Sequence, residues 1–339
     1  DREYAAFRKQ MSALGTLDPD VAPRATDHIP EMQDLIVRLI EKGLAYVSPA
    51  DPAVGAKHPT STQDPTTAPD PAHQDRPPAR PGASPSGGSV YFEVRKDPDF
   101  GRIFREPYEA MLMIANERGN FPADPLKRDP LDFVLWQAQK PGEPAWDSPW
   151  GPGRPGWHIE CSAMAMKYLG PTVTIHGGGE DLVFPHHAAE TAQSEQATGV
   201  RPFVRHWMHA AMVYCGEHKM SKSLGNMVFV ADLLEWCSAD ALRLHLLSHH
   251  YRKPWDHPIG ADLPTCDLAE ILSARLGEVE DGTDEDIDRH GAPFLEALAD
   301  DFDTPRAIEE ITRMAESSDP GEQRAARALG QRILGLTFA

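Results

Sequence analysis

Apolar side chains recur at helical spacing in the first part of the chain. Met32, Leu35, Ile36, Leu39 and Ile40 fall at positions i, i+3, i+4, i+7 and i+8. This spacing places all five on one face of a helix, which the preceding Ile-Pro pair starts and a following glycine ends. The pattern therefore predicts an amphipathic helix that packs against a core.

Short apolar runs alternate with helical patterns through the middle of the chain. Residues 90–94 and 173–175 have the composition of strands, and the second run leads into a predicted turn at Gly177–Gly179. A helix is expected to start at Pro185 and to continue through Gln196. Strands that alternate with helices are typical of a parallel α/β sheet.

The pattern changes after residue 230. Leucine-rich stretches at 233–247, 294–298 and 325–334 have helical spacing and no strand pattern between them. We therefore predict an α-helical bundle domain over residues 231–339, following an α/β region over residues 90–230.

A proline-rich segment, residues 49–89, separates that region from a helical segment of the same domain at residues 1–48. It holds ten prolines among small and polar residues, and Val54 is its only branched aliphatic residue before the strand at Val90. Such a composition buries too little apolar surface to offset the entropy of ordering. We expect a disordered insertion that loops out of a folded body.

Charge is unevenly distributed along the 339 residues. The formal net charge is −19, and residues 231–339 carry 10 Lys and Arg against 23 Asp and Glu. An acidic balance argues against a protein that coats nucleic acid through bulk charge, because phosphate binding needs clustered cations. It leaves room for a shaped, locally basic site.

The apolar and cysteine patterns indicate the cellular setting. No run approaches 18 consecutive apolar residues, so we expect no membrane span, and no secretory signal pattern is present. The four cysteines contain no C-x-x-C pair and form no disulfide framework. The sequence therefore predicts a cytoplasmic protein.

A lysine-rich loop is the strongest local signal. Lys219 and Lys222 lie three residues apart in the run Lys-Met-Ser-Lys-Ser, which Leu-Gly-Asn follows. Lysine serves as a flexible point charge for phosphate, so a loop of this kind can hold a polyphosphate in a transition state. A solvated loop is the alternative for a generic pair of lysines at this spacing.

A second pattern is compatible with a metal site. His186 and Glu190 are four residues apart on the predicted helix and share one face, and Cys161 lies in an earlier apolar segment. Thiolate, imidazole and carboxylate together suit zinc. The alternative is a surface His-Glu pair and a small core cysteine. On an ideal helix His187 would point about 100° away from His186.

The third pattern is a glycine run at a predicted strand end. His176, Gly177, Gly178, Gly179 and Asp181 could let a nucleotide approach the backbone closely, with the carboxylate accepting a ribose hydroxyl. A plain turn is the alternative.

These patterns occur together in an order that resembles the class I aminoacyl-tRNA synthetases, specifically the cysteinyl-tRNA synthetases. The resemblance covers most of the chain, and its motifs are highly specific. The matching text comprises residues 131–136, 143–144, 146–151, 153–162, 175–182, 184–187, 206–209 and 219–226.

The resemblance implies a class I Rossmann-like catalytic fold and ATP-dependent activation of L-cysteine to cysteinyl-AMP, followed by transfer to tRNA(Cys). It implies zinc at Cys161, His186 and Glu190, where the metal binds the thiol of cysteine, with Trp157 lining the cysteine pocket. It further implies that the segment from His176 to Asp181 contacts ATP, which carries magnesium, that Lys219 and Lys222 stabilise the reacting phosphate, and that the protein is a monomer.

The sequence departs from the family pattern in several places. It contains no His-x-Gly-His motif, no cysteine upstream of Cys161 to serve as a fourth zinc ligand, and alanines at 188 and 189 in place of Glu-Asn. The chain starts at Asp1 and ends at Ala339, before the anticodon-binding domain usual in the family. We therefore expect that this sequence is a fragment or a truncated gene model that lacks the N-terminal half of the nucleotide fold. If the chain is native as written, we expect that it does not activate cysteine; strong cysteine-dependent ATP–pyrophosphate exchange would overturn that expectation.

Two alternatives to tRNA aminoacylation stay open at this point. The related cysteine ligase of mycothiol synthesis forms the same adenylate but acylates a glucosaminyl-inositol amine, and it also lacks an anticodon domain. A catalytically inactive paralogue that binds cysteine, a nucleotide or a protein is the other.

Overall fold

The computed structural model divides into two compact units. The central unit is Val21–Met208, and the helical unit combines Asp1–Asp20 with His209–Ala339. Residues 1–20 join the helical unit because Leu14 packs into its core, whereas the sequence pattern grouped them with the catalytic part. The residues described are 2–49, 88–216, 218–220, 224–258 and 263–339.

Helices occupy more of the described chain than strands do. Within the central unit, the spacing of apolar residues predicts α2 well, because its stripe is buried from Ile29 to Leu39. The helices are α1 (Arg2–Ala13), α2 (Ile29–Glu41), α3 (Tyr108–Glu117), α4 (Trp157–Leu169), α5 (Ala188–Thr198), α6 (Val230–Leu233), α7 (Ala239–Leu247), α8 (Thr265–Leu276), α9 (Asp284–His290), α10 (Ala292–Ala299), α11 (Thr304–Ala315) and α12 (Pro320–Leu329).

The strands form three small sheets. Their order is β1-β2-β3-β4 in the first sheet, β5-β6 in the second and β8-β7-β9 in the third. The strands are β1 (Ala45–Val47), β2 (Val90–Phe92), β3 (Phe133–Ala138), β4 (Gly153–Pro155), β5 (Val173–Gly179), β6 (Val204–Ala210), β7 (Val213–Cys215), β8 (His218–Lys219) and β9 (Trp255–His257).

The four-stranded sheet is antiparallel throughout, which the alternation of strands and helices did not indicate. Tyr46 pairs with Tyr91 across β1 and β2, and β3 pairs antiparallel with both β2 and β4. Parallel pairing occurs between β7 and β9. Between β3 and β4 the chain forms no helix, in keeping with their antiparallel pairing.

One face of α2 carries the core of the central unit. Met32, Ile36 and Leu39 are fully buried and belong to the same cluster as Phe92 and Trp136 from the sheet. Gly43 adopts a positive φ of 71° just after the helix, which ends it as predicted. The four-stranded sheet, α2, α4 and α5 therefore share one hydrophobic core, and α4 and α5 also carry residues of the candidate site.

The helical unit has its own core. Leu272, Leu276, Phe294 and Ile311 are almost completely buried there. Thr283 caps α9 with a reciprocal capping box through Asp286. The sequence-based boundary at residue 231 falls inside this unit, because strands β7 and β8 and the chain up to α6 cluster with the helices.

Two sequence-based predictions concern the proline-rich insertion and membrane-spanning helices. The proline-rich insertion at residues 49–89 lies outside the described residues except for 49, 88 and 89. Among the helices in the described ranges, none is long and apolar enough to cross a lipid bilayer.

Candidate metal and aminoacyl site

Three elements of the central unit bring the predicted metal ligands together. Cys161 lies on α4, Glu190 on α5, and His186 in the π-helical turn, residues 183–187, that precedes α5. Their ligand atoms lie within 4.8 Å of one another. The sequence-predicted trio is thus one cluster, in the geometry that a shared cation needs.

Close backbone packing sets the position of α4. A Cβ atom at Gly156, the residue before α4, would overlap the backbone carbonyl oxygen of Val134 on β3. Only glycine allows this approach, which fixes the start of the helix against the sheet. Cys161 lies about one turn after Trp157, the first residue of α4, so the close packing at Gly156 also sets its distance from the sheet.

The carboxylate of Glu190 is the centre of the site. Its side chain is 0 % exposed, and within the described residues neither oxygen accepts a hydrogen bond. The Nε2 atoms of His176, His186 and His187 lie 3.5, 3.6 and 3.8 Å from the same oxygen, Oε2. Burial raises the pKa of Glu190 to about 8. A buried carboxylate without hydrogen bonds is costly unless a cation neutralises it.

Burial also shifts the pKa values of the other two predicted ligands, Cys161 and His186. It raises the pKa of Cys161 to about 12, helped by the negative charges of Glu190 and Glu160. It lowers the pKa of His186 to about 4, with a further contribution from His176. The neutral imidazole is the form that binds metals, whereas the thiolate and carboxylate need a compensating positive charge.

Two aromatic neighbours hold the ring of His186. The Nδ1 atoms of His158 and His186 lie 2.8 Å apart, so one donates a hydrogen bond to the other. Trp157 stacks on the His186 ring with centroids 4.3 Å apart and planes 18° apart. The bond at Nδ1 leaves Nε2 directed to Glu190, which is how histidine ligands are commonly oriented. Trp157 is 55 % exposed and is the residue predicted to line the cysteine pocket.

His187 corrects the expectation from ideal helix geometry. The sequence pattern placed its ring about 100° away from His186, yet its Nε2 approaches the same carboxylate oxygen. Phe184 has extended backbone angles (φ −139°, ψ 136°), and the turn that follows is wider than an α-helix. His176, His187 and Glu190 therefore form a second trio whose ligand atoms lie within 4.8 Å of one another.

The glycine run is a strand and not the predicted turn. β5 continues through Gly177, Gly178 and Gly179, since its backbone pairs in the β5–β6 sheet. A Cβ at Gly178 would lie 2.9 Å from Cε1 of His187, so this glycine makes room for that ring. The backbone carbonyl of Asp181 accepts a hydrogen bond from the guanidinium of Arg118.

His176 lies in the metal cluster. Its ring faces Glu190 and packs against Trp207, with centroids 4.9 Å apart. The nucleotide contacts predicted for His176, the three glycines and Asp181 stay predictions. Sequence patterns did not indicate His158 or His176 as part of the metal environment. They made His187 a candidate only by its place next to His186, and ideal helix geometry argued against it.

The lysine loop belongs to the helical unit, whereas the cluster around Glu190 belongs to the central unit. Lys219 ends the exposed strand β8 and pairs with Tyr214 of β7. The side-chain amide of Asn226 donates a hydrogen bond to the Lys219 carbonyl at 3.2 Å. Lys222 lies outside the described residues.

The donor set fits the metal that the sequence resemblance implies. Sulfur, imidazole nitrogen and carboxylate oxygen are ligands that zinc accepts together. The carboxylate of Glu190 supports the fit, because it is buried and neither oxygen accepts a hydrogen bond among the described residues, so a bound cation would compensate its charge.

The chain is similar to curated proteins named cysteine–tRNA ligase. The relative from Anaeromyxobacter dehalogenans is 39 % identical over 98 % of this chain and 65 % of its own length. The relative from Pelotomaculum thermopropionicum is 39 % identical over 97 % of this chain and 62 % of its length. A relative from Syntrophobacter fumaroxidans is 45 % identical over 75 % of this chain and 43 % of its length. The chain thus spans less than two thirds of these relatives.

Solved structures agree on the fold. Mycobacterium tuberculosis methionyl-tRNA synthetase in complex with methionyl-adenylate covers 99 % of this chain and is itself covered over 75 %, with a TM-score of 0.50 and 16 % identity. A second structure of that enzyme bound by methionyl-adenylate gives a TM-score of 0.52 at 13 % identity, covering 99 % of this chain and 74 % of its own.

A family model confirms the class that the motifs indicated. The model described as the tRNA synthetases class I (C) catalytic domain matches residues 1–64 and 79–259. These two stretches make up well over half of the chain, and they contain the metal cluster and the lysine loop. The predicted mixed α/β class I synthetase fold is confirmed as well. The chain therefore belongs to the class I tRNA synthetases, in the family defined by the (C) catalytic domain.

Proposed function

We propose that the natural gene product activates L-cysteine with ATP and transfers it to tRNA(Cys). Family membership supports a ligase of this class, and the names of the relatives support cysteine as the amino acid. The observation that carries the proposal is the buried Glu190 carboxylate, which has no hydrogen-bond partner among the described residues and faces Cys161 and His186. A thiol-selective site needs a soft cation, and these residues are the ligands for one.

Zinc would be held by Sγ of Cys161, Nε2 of His186 and a carboxylate oxygen of Glu190. When bound, it supplies affinity for a thiolate that a serine hydroxyl cannot match, so cysteine is selected at the binding step. His158 and Trp157 position the His186 ring. The side chain of Glu190 is shielded from water, which strengthens its electrostatic contacts within the site.

The nucleotide half of the site is part of the same proposal. The backbone along Gly177–Gly179 and the carboxylate of Asp181 would contact the adenosine of magnesium-bound ATP. Lys219 and Lys222 would stabilise the charge on the reacting phosphate as pyrophosphate leaves. A cytoplasmic location and a monomeric state remain sequence-based predictions.

Zinc content and amino acid discrimination test the proposal on the natural gene product. We expect close to one zinc per chain by atomic emission, and binding of cysteine but not serine by titration calorimetry. Charging of tRNA(Cys) should require ATP and cysteine and should fall after chelation.

Matched variants make the test specific. Cys161→Ser should lose zinc and cysteine binding together, whereas Cys215→Ser, a half-buried cysteine of β7 in the other unit, should retain both. Full cysteine selectivity without zinc would contradict the proposed site. Acylation of an aminosugar in place of tRNA would contradict the proposed acceptor.

A further inference from the structure

In the helical unit the side chains of two cysteines are in contact. Both follow the residues of the metal cluster in the sequence. The Sγ atoms of Cys237 and Cys266 are 3.0 Å apart, with one thiol donating a hydrogen bond to the other. A disulfide bond brings two sulfurs to about 2.05 Å, so a small approach of the side chains joins this pair. We propose that Cys237 and Cys266 form a reversible disulfide, a modification site separate from the aminoacylation site.

The backbone around the pair is anchored on both sides. Cys237 follows α6 and directly precedes Ser238, the N-cap of α7, while Cys266 is in the first turn of α8. The hydroxyl of Thr265, next to Cys266, donates a hydrogen bond to the carbonyl of Ala241 on α7 at 2.8 Å. The two segments are thus tied together independently of the cysteines, so the sulfurs are held in range.

A surface cavity gives a small oxidant access to the pair. It has a volume of about 330 Å³, and both cysteines line it together with Trp236, Asp240 and Glu270. Cys266 is half-buried, whereas Cys237 is only 8 % exposed. The reagent therefore meets Cys266 first, and Cys237 lies behind it as the resolving thiol.

The oxidant is a low-molecular-weight disulfide, and the reaction is thiol–disulfide exchange. The Cys266 thiolate attacks one sulfur of the reagent, whose S–S bond breaks and releases one small thiolate, which takes up the proton that Cys266 lost. The Cys237 thiolate then attacks Sγ of Cys266, and the second small thiolate leaves and takes the proton of Cys237. Two protein thiols are oxidised, and one small disulfide is reduced to two thiols.

The bond would close a loop around α7. Cys237 and Cys266 are 29 positions apart in sequence, so the link restricts the unfolded chain over a loop of about that length. Oxidation should therefore stabilise the helical unit while its helices keep their places. In the reduced state, packing and the Thr265 hydrogen bond hold α7 against α8.

The test exposes the full chain to 2-hydroxyethyl disulfide and maps its cysteines by mass spectrometry. We expect the number of titratable thiols, measured in denaturant, to fall from four to two, with one linked peptide pair containing Cys237 and Cys266. Dithiothreitol should restore all four. Two free thiols at these positions, a stable adduct on Cys266, or links to other cysteines would overturn the proposal.

Variants separate the two steps. Cys237→Ser should accumulate the mixed disulfide on Cys266, because the resolving thiol is gone, whereas Cys215→Ser should form the internal bond as the wild type does. Oxidation should raise the melting midpoint of the wild type by roughly 5–15 °C, reversibly, and should leave that of Cys237→Ser unchanged. An unchanged or lower midpoint for the oxidised wild type would refute the claim that the fold holds the pair ready. None of these measurements involves the activation of substrate L-cysteine with ATP. A negative result would therefore not count against the proposed function.

Discussion

Replacing Glu190 with glutamine should have opposite effects on stability with and without metal. The substitution keeps the size of the side chain and removes its ability to carry a charge. In the wild type that charge lies in a site that is 0 % exposed and offers it no hydrogen bond among the described residues. Without metal, the carboxylate is therefore a cost to folding, and Glu190→Gln should relieve it.

The pKa of Glu190 sets the size of the effect. An unfolded glutamate ionises near 4.5, whereas the folded protein keeps the proton until about pH 8. Between these values the folded state binds more protons than the unfolded state, so the free energy of unfolding decreases as pH rises. At 1.36 kcal/mol for each pH unit, the wild type should lose about 3 kcal/mol between pH 5 and pH 7.5. Glu190→Gln should lack this loss.

Urea unfolding of the metal-free protein at several pH values measures the difference. We expect the stability of Glu190→Gln relative to wild type to increase by about 3 kcal/mol across that range. Zinc should then stabilise only the wild type, by about 2.7 kcal/mol at one hundred times the dissociation constant. Glu117→Gln, an exposed carboxylate on α3, serves as the control and should change neither quantity.

Two results would refute the reasoning. An equal pH dependence in wild type and Glu190→Gln would mean that the carboxylate is not buried without partners. Equal stabilisation of both proteins by zinc would mean that Glu190 is not a ligand.

Other substitutions test the packing around the site. Gly178→Ala should cost about 1–3 kcal/mol by melting, because its methyl group meets an imidazole carbon at 2.9 Å, whereas Gly177→Ala, with its nearest atom at 3.5 Å, should cost little; equal losses would contradict the packing. Arg102→Met should cost about 1–3 kcal/mol, since it breaks a bidentate pair with Glu195, whose side chain is 2 % exposed but also lies 3.4 Å from the Arg201 guanidinium. Arg289→Met breaks an exposed helical pair and should cost under about 0.5 kcal/mol; comparable losses from both arginines would count against burial as the cause.

The sequence predicted those parts of the protein in which local pattern and final contacts agree. The stripe on α2 could be read from spacing alone, because every apolar residue at i, i+3 and i+4 faces the same core. Cys161, His186 and Glu190 could be named because motif order identified them. The helical spacing of His186 and Glu190 holds in the structure, since both approach through one face of the turn and helix.

What the sequence could not predict depends on contacts between distant segments. Three consecutive glycines carry no side-chain signal, so only pairing between β5 and β6 makes Gly177–Gly179 a strand. His187 reaches Glu190 because the backbone is extended at Phe184 and wide in the next turn, a departure from ideal geometry that helical spacing does not contain. The antiparallel order of the four-stranded sheet likewise follows from pairings across long stretches of chain.

The pairing of β1 with β2 has a consequence for how this family can diversify. The backbone amide of Ser48 donates a hydrogen bond to the carbonyl oxygen of Ser89 at 2.8 Å, and the Ser48 hydroxyl accepts one from the Ser89 amide at 3.0 Å. These bonds connect the end of β1 to the start of β2. The register is fixed by these bonds and by the Tyr46–Tyr91 pair. The family model passes over residues 65–78, between β1 and β2. Lineages can therefore gain or lose sequence here at little energetic cost, and a protein engineer could graft a reporter domain at the same point without disturbing the sheet.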